Sequence, residues 1–328
     1  MALASILLIS LGGTITMTRS EAGGITPTLT AEDLVKAVPG IEAVASIETV
    51  SPLRKPSPSL TLVDLLTLAL HLQESFARGI DGAVVIQGTD TIEETAFVLD
   101  SLVGGEKPVV VTGAMRGPEA AGADGPANIL SASIVAASPS ATGRGTLVVL
   151  NDEIHAARLV QKAHTALPSA FRSPLGGTVG LVVEGEARFH ASTDRAFHLA
   201  GPFGDDDAPV ALLRIGLGDD GRLLTALPSL GFRGAVIEAM GAGHVPETLV
   251  QAIASLSAQM PVVMASRVDT GRVFSRTYGF PGAEIDLLKR GVISAGPLSG
   301  LKARLLLMLL LRSGKDSRAI VNAFASFS

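Results

Sequence analysis

The chain has 328 residues, of which 47% are hydrophobic and 17% charged, a composition that predicts a globular protein with a large core and two domains. It contains no cysteine, which excludes disulfides and thiolate chemistry and favours a cytoplasmic location. Nucleic-acid binding is not favoured, because the net charge is −5 and the chain has no tryptophan and a single tyrosine. The spacing of the six histidines does not suggest a structural zinc site.

The chain begins with an apolar run, MALASILLIS, which we interpret as a buried strand. A secretory signal peptide is the alternative, but this run lacks a positively charged start and leads directly into glycines. A second apolar run, LLLMLLL at residues 305–311, is shorter than the roughly 20 residues that a membrane span requires. We therefore expect a buried helix there and no association with a membrane.

Strand-like and helix-like segments alternate in the first part of the chain. Apolar, β-branched runs that end in small or polar residues predict strands at 82–90, 107–115 and 145–152. Segments with the apolar spacing of helices lie between them, at 91–103 and 126–137. This alternation predicts an α/β fold with a mostly parallel sheet flanked by helices. Ligands bind beyond the carboxyl ends of such strands, so we expect the polar residues after the strands to face one site.

The same alternation returns later in the chain and predicts a second, smaller α/β domain. The predicted strands are 208–218, 234–243, 260–268 and 291–296. The predicted helices are 246–259 and 300–314. A polar stretch with glycine, proline and three aspartates separates the two sets. The predicted boundaries are therefore an N-terminal domain at 1–195, a linker at 196–208 and a C-terminal domain at 209–328.

The first predicted strand ends in LGGTI, residues 11–15. A dinucleotide loop would need a third glycine at the proper offset, and a phosphate loop would need a lysine, and both are missing. Adjacent glycines instead allow the backbone to turn sharply and to pass close to a ligand, which would leave the Thr14 hydroxyl exposed above the sheet. A plain strand-ending turn with a solvated Thr14 is the alternative.

The segment QGTDTIEETA, residues 87–96, lies between a predicted strand and a predicted helix. One interpretation is structural: Asp90 or Thr91 caps the helix, and Glu93 or Glu94 completes a capping box. Capping and catalysis are compatible, because a helix N-terminus also favours an anion.

Lys162, in RLVQKAHTA at residues 158–166, suggests a catalytic interpretation of the same segment. A hydroxyl, an amine and a carboxylate in mutual contact form a chain that activates a nucleophile, and Thr89, Lys162 and Asp90 supply these three groups. The role requires an amine that is neutral for part of the time. The alternative is a solvated lysine, because spacing alone does not show the contact.

These segments together resemble the bacterial L-asparaginases, the asparaginase–glutaminase family. The resemblance rests on LGGTI, QGTDTIEETAFVLD, KPVVVTGAMR followed by ADGPANI, ND before Lys162, ASRVDTG and LKARLLL, in this order over nearly the full length. It implies hydrolysis of asparagine to aspartate and ammonia, with variable activity on glutamine and no metal or organic cofactor. It also implies a homodimer or homotetramer whose active site is shared between the N-terminal domain of one subunit and the C-terminal domain of another.

The resemblance also assigns roles to individual residues. Thr14 matches the nucleophilic threonine, and the second catalytic group comprises Thr89, Asp90 and Lys162. Ser57 would receive the substrate carboxylate, Glu284 would bind the substrate ammonium across the interface, and Gly88 and Ala114 would line the pocket. The resemblance leaves two routes open, an acyl-threonine intermediate and direct attack by water.

Two features depart from the family pattern. The lid normally carries a tyrosine that pairs with the nucleophile, but residues 16–30 contain none, and the only tyrosine is Tyr278. Pro58 also replaces a glutamine that is common after the serine matched by Ser57. We expect the lid, residues 17–28, to be mobile without ligand and to become ordered when aspartate binds. The alternative function is an amino-acid-binding or regulatory protein on the same fold with weak or lost turnover.

Overall fold

The computed structural model describes residues 3–19, 25–27, 29–192, 195, 197–204 and 207–327. The chain divides into two compact units, Met1–His198 and Leu199–Ser328. Each unit contains a sheet with flanking helices, which confirms the predicted fold class of a larger N-terminal and a smaller C-terminal α/β domain.

The N-terminal unit contains twelve strands and four α-helices among its described residues. The strands are β1 Ala4–Ser10, β2 Met17–Arg19, β3 Ile25–Pro27, β4 Ala45–Val50, β5 Gly82–Ile86, β6 Val109–Thr112, β7 Thr146–Leu150, β8 Glu153–Ala156, β9 Gln161–Lys162, β10 Phe171–Arg172, β11 Gly180–Val183 and β12 Glu186–Phe189. The helices are α1 Ala31–Lys36, α2 Leu62–Ala77, α3 Ile92–Leu102 and α4 Gly125–Ala137.

Eight of these strands form one sheet in the order β12-β11-β8-β7-β6-β5-β1-β4. The five adjacent strands β4, β1, β5, β6 and β7 run parallel, as the alternation of strands and helices predicts. One face of the sheet packs against α1 and α4, and alternate residues face the other side, where α3 contacts β6 and β7. Coverage on both faces explains why the central strands are uninterrupted apolar runs.

The other edge of the sheet is antiparallel, which we did not predict. Asn151 and Asp152 were expected to end a strand at the ligand site, but they form the two-residue turn between β7 and β8. Their φ angles of 54° and 61° are those of a hairpin turn that suits the twist of the strands, and Asn is favoured there. The chain therefore reverses after β7 instead of crossing over through a helix.

The C-terminal unit has a four-stranded parallel sheet in the order β13-β14-β15-β16. Its strands and helices are β13 Val210–Arg214, α5 Arg222–Ala226, β14 Gly234–Ala239, α6 Val250–Ser257, β15 Val262–Ser266, α7 Glu284–Lys289, β16 Ile293–Ser294, α8 Gly300–Arg312 and α9 Ser317–Ala325. The apolar run at 305–311 lies in α8, which packs on the sheet, so the expected buried helix is present. In the described part of the chain, no helix has both the length and the apolar character that crossing a bilayer requires.

Candidate active site

Four loops meet at the carboxyl edge of the N-terminal sheet. They follow β1, β4, β5 and β6 and contain residues 11–13, 55–57, 87–91 and 113–114. The Lys55 N–H donates to the Leu11 carbonyl at 2.9 Å, which joins the first two loops. The parallel register of the four strands places these loops side by side, as expected from the sheet topology.

Glycines without side chains allow these loops to approach closely. Gly13 has a φ of 94°, and a Cβ atom at this position would lie 2.0 Å from the Gly88 N atom. A Cβ atom on Gly88 would in turn lie 2.7 Å from the Ser57 Oγ atom. The adjacent glycines closely approach the backbone of the neighbouring loops, and the expectation that they also pass close to a ligand stays a prediction. The strand-ending glycine pair is therefore required for loop packing.

Gly13→Ala is expected to destabilise the protein by more than about 3 kcal/mol, because it adds a backbone collision to an unfavourable positive φ. Gly40→Ala is the matched control: its φ of 79° is similarly unfavourable, but nothing lies within 4 Å of the added atom. We expect Gly40→Ala to lose only about 1 kcal/mol. Urea unfolding of both variants measures the difference, and equal losses would show that the close approach is unimportant.

Thr14 begins a single 3-10 turn, Thr14–Thr16, directly after the glycine pair. The buried Thr16 hydroxyl closes this turn by donating to the Gly13 carbonyl at 2.8 Å. The Thr14 side chain lies outside the described residues, so its predicted role as nucleophile stays a prediction. The lid prediction also falls partly outside them: β2 and β3 form an antiparallel pair, and residues 20–24 and 28 are not described.

The structure brings Thr89, Lys162 and Asp90 into one contact. The Lys162 Nζ atom donates to the Thr89 Oγ1 atom at 2.9 Å and to the Asp90 Oδ1 atom at 2.6 Å. The lysine and threonine side chains are largely buried, whereas the Asp90 side chain is 62% exposed. A hydroxyl is thus hydrogen-bonded to an amine that a carboxylate orients, which is the arrangement that activates a hydroxyl or a water molecule.

Lys162 reaches this position from the hairpin formed by β9 and β10. Its backbone N–H donates to the Glu93 Oε1 atom at 3.3 Å, which attaches the hairpin to the first turn of α3. The capping-box interpretation is wrong for Thr91, the N-cap residue of α3. Thr91 makes no side-chain capping bond, and its hydroxyl instead donates to the Ser57 carbonyl at 3.2 Å.

The residues expected to line the pocket follow β4, β5 and β6. Ser57 and Ala114 are buried, and Ser57 lies against Gly88. We did not predict Gln87, a buried residue whose amide donates to the Gly88 carbonyl and to the Thr91 hydroxyl. A glutamine at the end of a strand carries no local signal for such a role, because both of its partners belong to a turn whose shape depends on the neighbouring loops.

A buried histidine lies beside the hairpin that carries Lys162. His155 in β8 shares a hydrogen bond of 3.0 Å between its Nδ1 atom and the Ser173 Oγ atom, directly after β10. Burial lowers the pKa of His155 from 6.5 to about 4. In the range between these two values the unfolded chain binds more protons than the folded protein, so acid favours unfolding.

His155 is expected to reduce the free energy of unfolding by about 3 kcal/mol as the pH falls from about 7 to about 4. The stability associated with neutral His155 is fully present above the pKa of 6.5 in the unfolded chain, and it is lost as the pH approaches the pKa of about 4 in the folded protein. The measurement is urea unfolding across this range for the wild type and for His155→Leu, which cannot protonate. The wild type should lose more stability than the variant, and parallel pH profiles would contradict this expectation.

Glu284 begins α7 in the C-terminal unit and is fully buried. Its Oε1 atom accepts hydrogen bonds from the Thr277 and Tyr278 N–H groups at 2.9 and 2.7 Å. Burial raises the pKa of the Glu284 carboxyl, but the hydrogen bonds from Tyr278 and Thr277 outweigh burial, so the net effect is a lowered pKa. The C-terminal unit thus holds a buried carboxylate that two backbone N–H groups fix in place.

Comparison with known proteins gives matches along the whole chain. Residues 5–195 match the family model "Asparaginase, N-terminal", and residues 209–324 match "Glutaminase/Asparaginase C-terminal domain". A probable L-asparaginase of Deinococcus radiodurans is 38% identical over 97% of this chain and 96% of its own, and a glutaminase-asparaginase of Acinetobacter glutaminasificans is 32% identical over 98% and 99%. The crystal structure of a probable cytoplasmic L-asparaginase from Campylobacter jejuni superposes with a TM-score of 0.84 at 33% identity and covers 98% of this chain and 99% of that protein.

Proposed function

The chain belongs to the asparaginase–glutaminase family, and from this membership we propose that it is an amidohydrolase that converts L-asparagine to L-aspartate and ammonia. The observation that carries the proposal is the Lys162 amine, which contacts the Thr89 hydroxyl and the Asp90 carboxylate at the same time. Some activity on glutamine is part of the proposal, because glutaminase-asparaginases are among the relatives.

In the proposed reaction, the Thr14 hydroxyl attacks the side-chain amide carbon of asparagine. Negative charge develops on the carbonyl oxygen, and backbone N–H groups beside the glycine loops stabilise it by roughly 3–4 kcal/mol for each well-placed donor. Ammonia leaves as the acyl-threonine forms, and water then releases aspartate. Thr89 and Lys162 supply the basic group that moves protons in these steps, and Asp90 orients the lysine.

We assign substrate binding to groups from both units. The buried Ser57 hydroxyl receives the substrate carboxylate, and the Gly88 and Ala114 main chain lines the pocket. The family resemblance assigns the substrate ammonium to Glu284, whose carboxylate is held by two backbone N–H groups. The proposal includes a homodimer or homotetramer in which Glu284 serves the neighbouring subunit's site, and light scattering of the purified protein measures this assembly.

Coupled detection of ammonia tests the proposal on L-asparagine, L-glutamine and their D-isomers. We expect release of ammonia from L-asparagine that continues over many turnovers. Binding of aspartate without release of ammonia from any of the four amides would favour the alternative, an amino-acid-binding or regulatory protein. A cytoplasmic location is also proposed, in line with the Campylobacter jejuni relative that is described as cytoplasmic, and cell fractionation measures it.

A further inference from the structure

A chain of hydrogen bonds links the loop after β5 to the loop that carries Ser57. The Gln87 Nε2 atom donates to the Gly88 carbonyl at 3.2 Å and to the Thr91 Oγ1 atom at 3.1 Å. The Thr91 hydroxyl in turn donates to the Ser57 carbonyl at 3.2 Å. Gln87 and Ser57 are only 1% and 2% exposed, so water does not compete freely for the bonds at either end of this chain.

The chemistry of the donors and acceptors fixes the direction of each bond. A carbonyl oxygen can only accept, so the end of the Gln87 amide that faces the Gly88 carbonyl is its NH2 group. The second N–H of this group goes to the Thr91 hydroxyl, whose oxygen accepts it. The hydroxyl has a single proton, which is thereby left for the Ser57 carbonyl. Gln87 thus sets the direction in which Thr91 donates.

The other end of the Gln87 amide makes no compensating contact. The Oε1 atom is buried and accepts no hydrogen bond from the described residues. Burial of an unpaired carbonyl oxygen costs free energy. Glutamine is therefore favourable at this position only through the bonds of its NH2 group, which are the bonds to Gly88 and Thr91.

The Ser57 carbonyl is the point at which Thr91 holds this loop. Pro56 and Pro58 flank Ser57 and have no N–H groups to donate. The Ser57 carbonyl accepts from the Leu60 N–H at 3.1 Å within its own turn, and the Thr91 hydroxyl is a second donor from outside the loop. The first bond shapes the turn, and the second fixes the turn relative to the segment after β5.

We propose that Gln87 and Thr91 are positioning residues that hold Ser57 where its hydroxyl receives the α-carboxylate of the substrate, and that they thereby favour amides that carry this carboxylate. The inference rests on the proposed function, in which Ser57 binds the carboxylate. A displaced Ser57 loop weakens the contact with the carboxylate, whereas the scissile amide lies at the other end of the substrate. Selectivity between substrates with and without the carboxylate is therefore the property that these two residues control.

The test compares asparagine with 3-aminopropanamide, which is asparagine without its α-carboxylate. Ammonia release by the full-length protein gives kcat/KM for both, and their ratio isolates the carboxylate because a change at the reacting amide affects both substrates. Thr91→Val should lower the ratio roughly five- to tenfold, mainly by raising the KM for asparagine. Thr91→Ser keeps the hydroxyl and should retain the wild-type ratio.

Gln87→Met keeps the length of the side chain without its donors, so it should lower the ratio by a similar factor. The double variant Gln87→Met/Thr91→Val should lower the ratio no further, because both residues act on Ser57 through one bond. Thr95→Val is the matched control in α3, since its buried hydroxyl has no hydrogen-bond partner within the described residues, and it should keep the wild-type ratio.

The inference is overturned if Thr91→Val retains the ratio, if Thr91→Ser loses as much as Thr91→Val, or if the effects of the two substitutions multiply. A wild type that releases no ammonia would instead contradict the proposed function. Calorimetric binding of aspartate would then decide the inference separately. Weaker binding by Thr91→Val than by Thr91→Ser would support it, and equal binding would overturn it.

Discussion

Thr89→Val is expected to hydrolyse asparagine at least about 10³-fold more slowly than the wild type while remaining folded. The change removes the hydroxyl that the Lys162 amine contacts at 2.9 Å and replaces it with a methyl group of nearly the same size. The chain of proton-transferring groups then loses the end that meets the reacting groups, while Lys162 and Asp90 remain paired. The loss should appear in kcat, because the hydroxyl acts on the reacting groups in the transition state.

Thr95→Val provides the matched control for this substitution. Thr95 lies in α3, is fully buried, and has a hydroxyl without a hydrogen-bond partner within the described residues. Replacing this hydroxyl with a methyl group should leave kcat unchanged and should not reduce thermal stability, because no hydrogen bond is lost. If Thr89→Val kept a near-normal rate of ammonia release, Thr89 would have no part in the mechanism.

Lys162→Met is expected to reduce kcat by about 10²- to 10⁴-fold, the usual contribution of a positioned acid–base group. Methionine retains the length and the apolar stem of the side chain but supplies no amine to Thr89. The variant should remain folded, because the Asp90 carboxylate is 62% exposed and water can solvate it after the ion pair is lost. Circular dichroism and thermal unfolding check the fold, and the ammonia assay measures the rate.

Lys107→Met is the corresponding control, since Lys107 forms an exposed ion pair with Asp81 at 2.9 Å, away from the four loops. It loses a charge of the same kind and should keep its full rate. A similar decrease in both variants would indicate a general effect of charge rather than a role for Lys162. Normal activity in Lys162→Met would remove the lysine from the mechanism and would leave the contact with Thr89 as a structural hydrogen bond.

Several features of the site could be predicted from the sequence. Others could not, because they depend on partners that are distant in the sequence. Apolar runs that end in polar residues located the loops after β1 and β5, because burial on both faces imposes a local pattern on each strand. A capping box at Asp90 or Thr91 was one interpretation of a pattern that is equally local, and the form with Thr91 does not occur. The Thr91 hydroxyl bonds to the Ser57 carbonyl, a partner 34 residues away that no local pattern reveals.

The resemblance placed Glu284 in the site, but it gave no indication of how the carboxylate is held. The Glu284 carboxylate accepts hydrogen bonds from the Thr277 and Tyr278 backbone N–H groups, which every residue except proline could supply. The His244 imidazole lies 3.3 Å from the Glu284 carboxylate, a proximity that the sequence did not predict. It lies 40 residues from Glu284 in the sequence, and only the packing of the turn after β14 against the start of α7 brings the two side chains together.

The sequence by itself determined the α/β class, the core strands and the identity of the residues that can do chemistry, since these depend on local periodicity and on residue type. The tertiary structure decided which of these residues meet. Lys162 and Thr89 are separated by 73 positions, and their contact at 2.9 Å exists because the order of strands in the sheet places the β9–β10 hairpin over the start of α3. Contacts of this kind depend on the folding of distant segments together, and no short stretch of sequence encodes them.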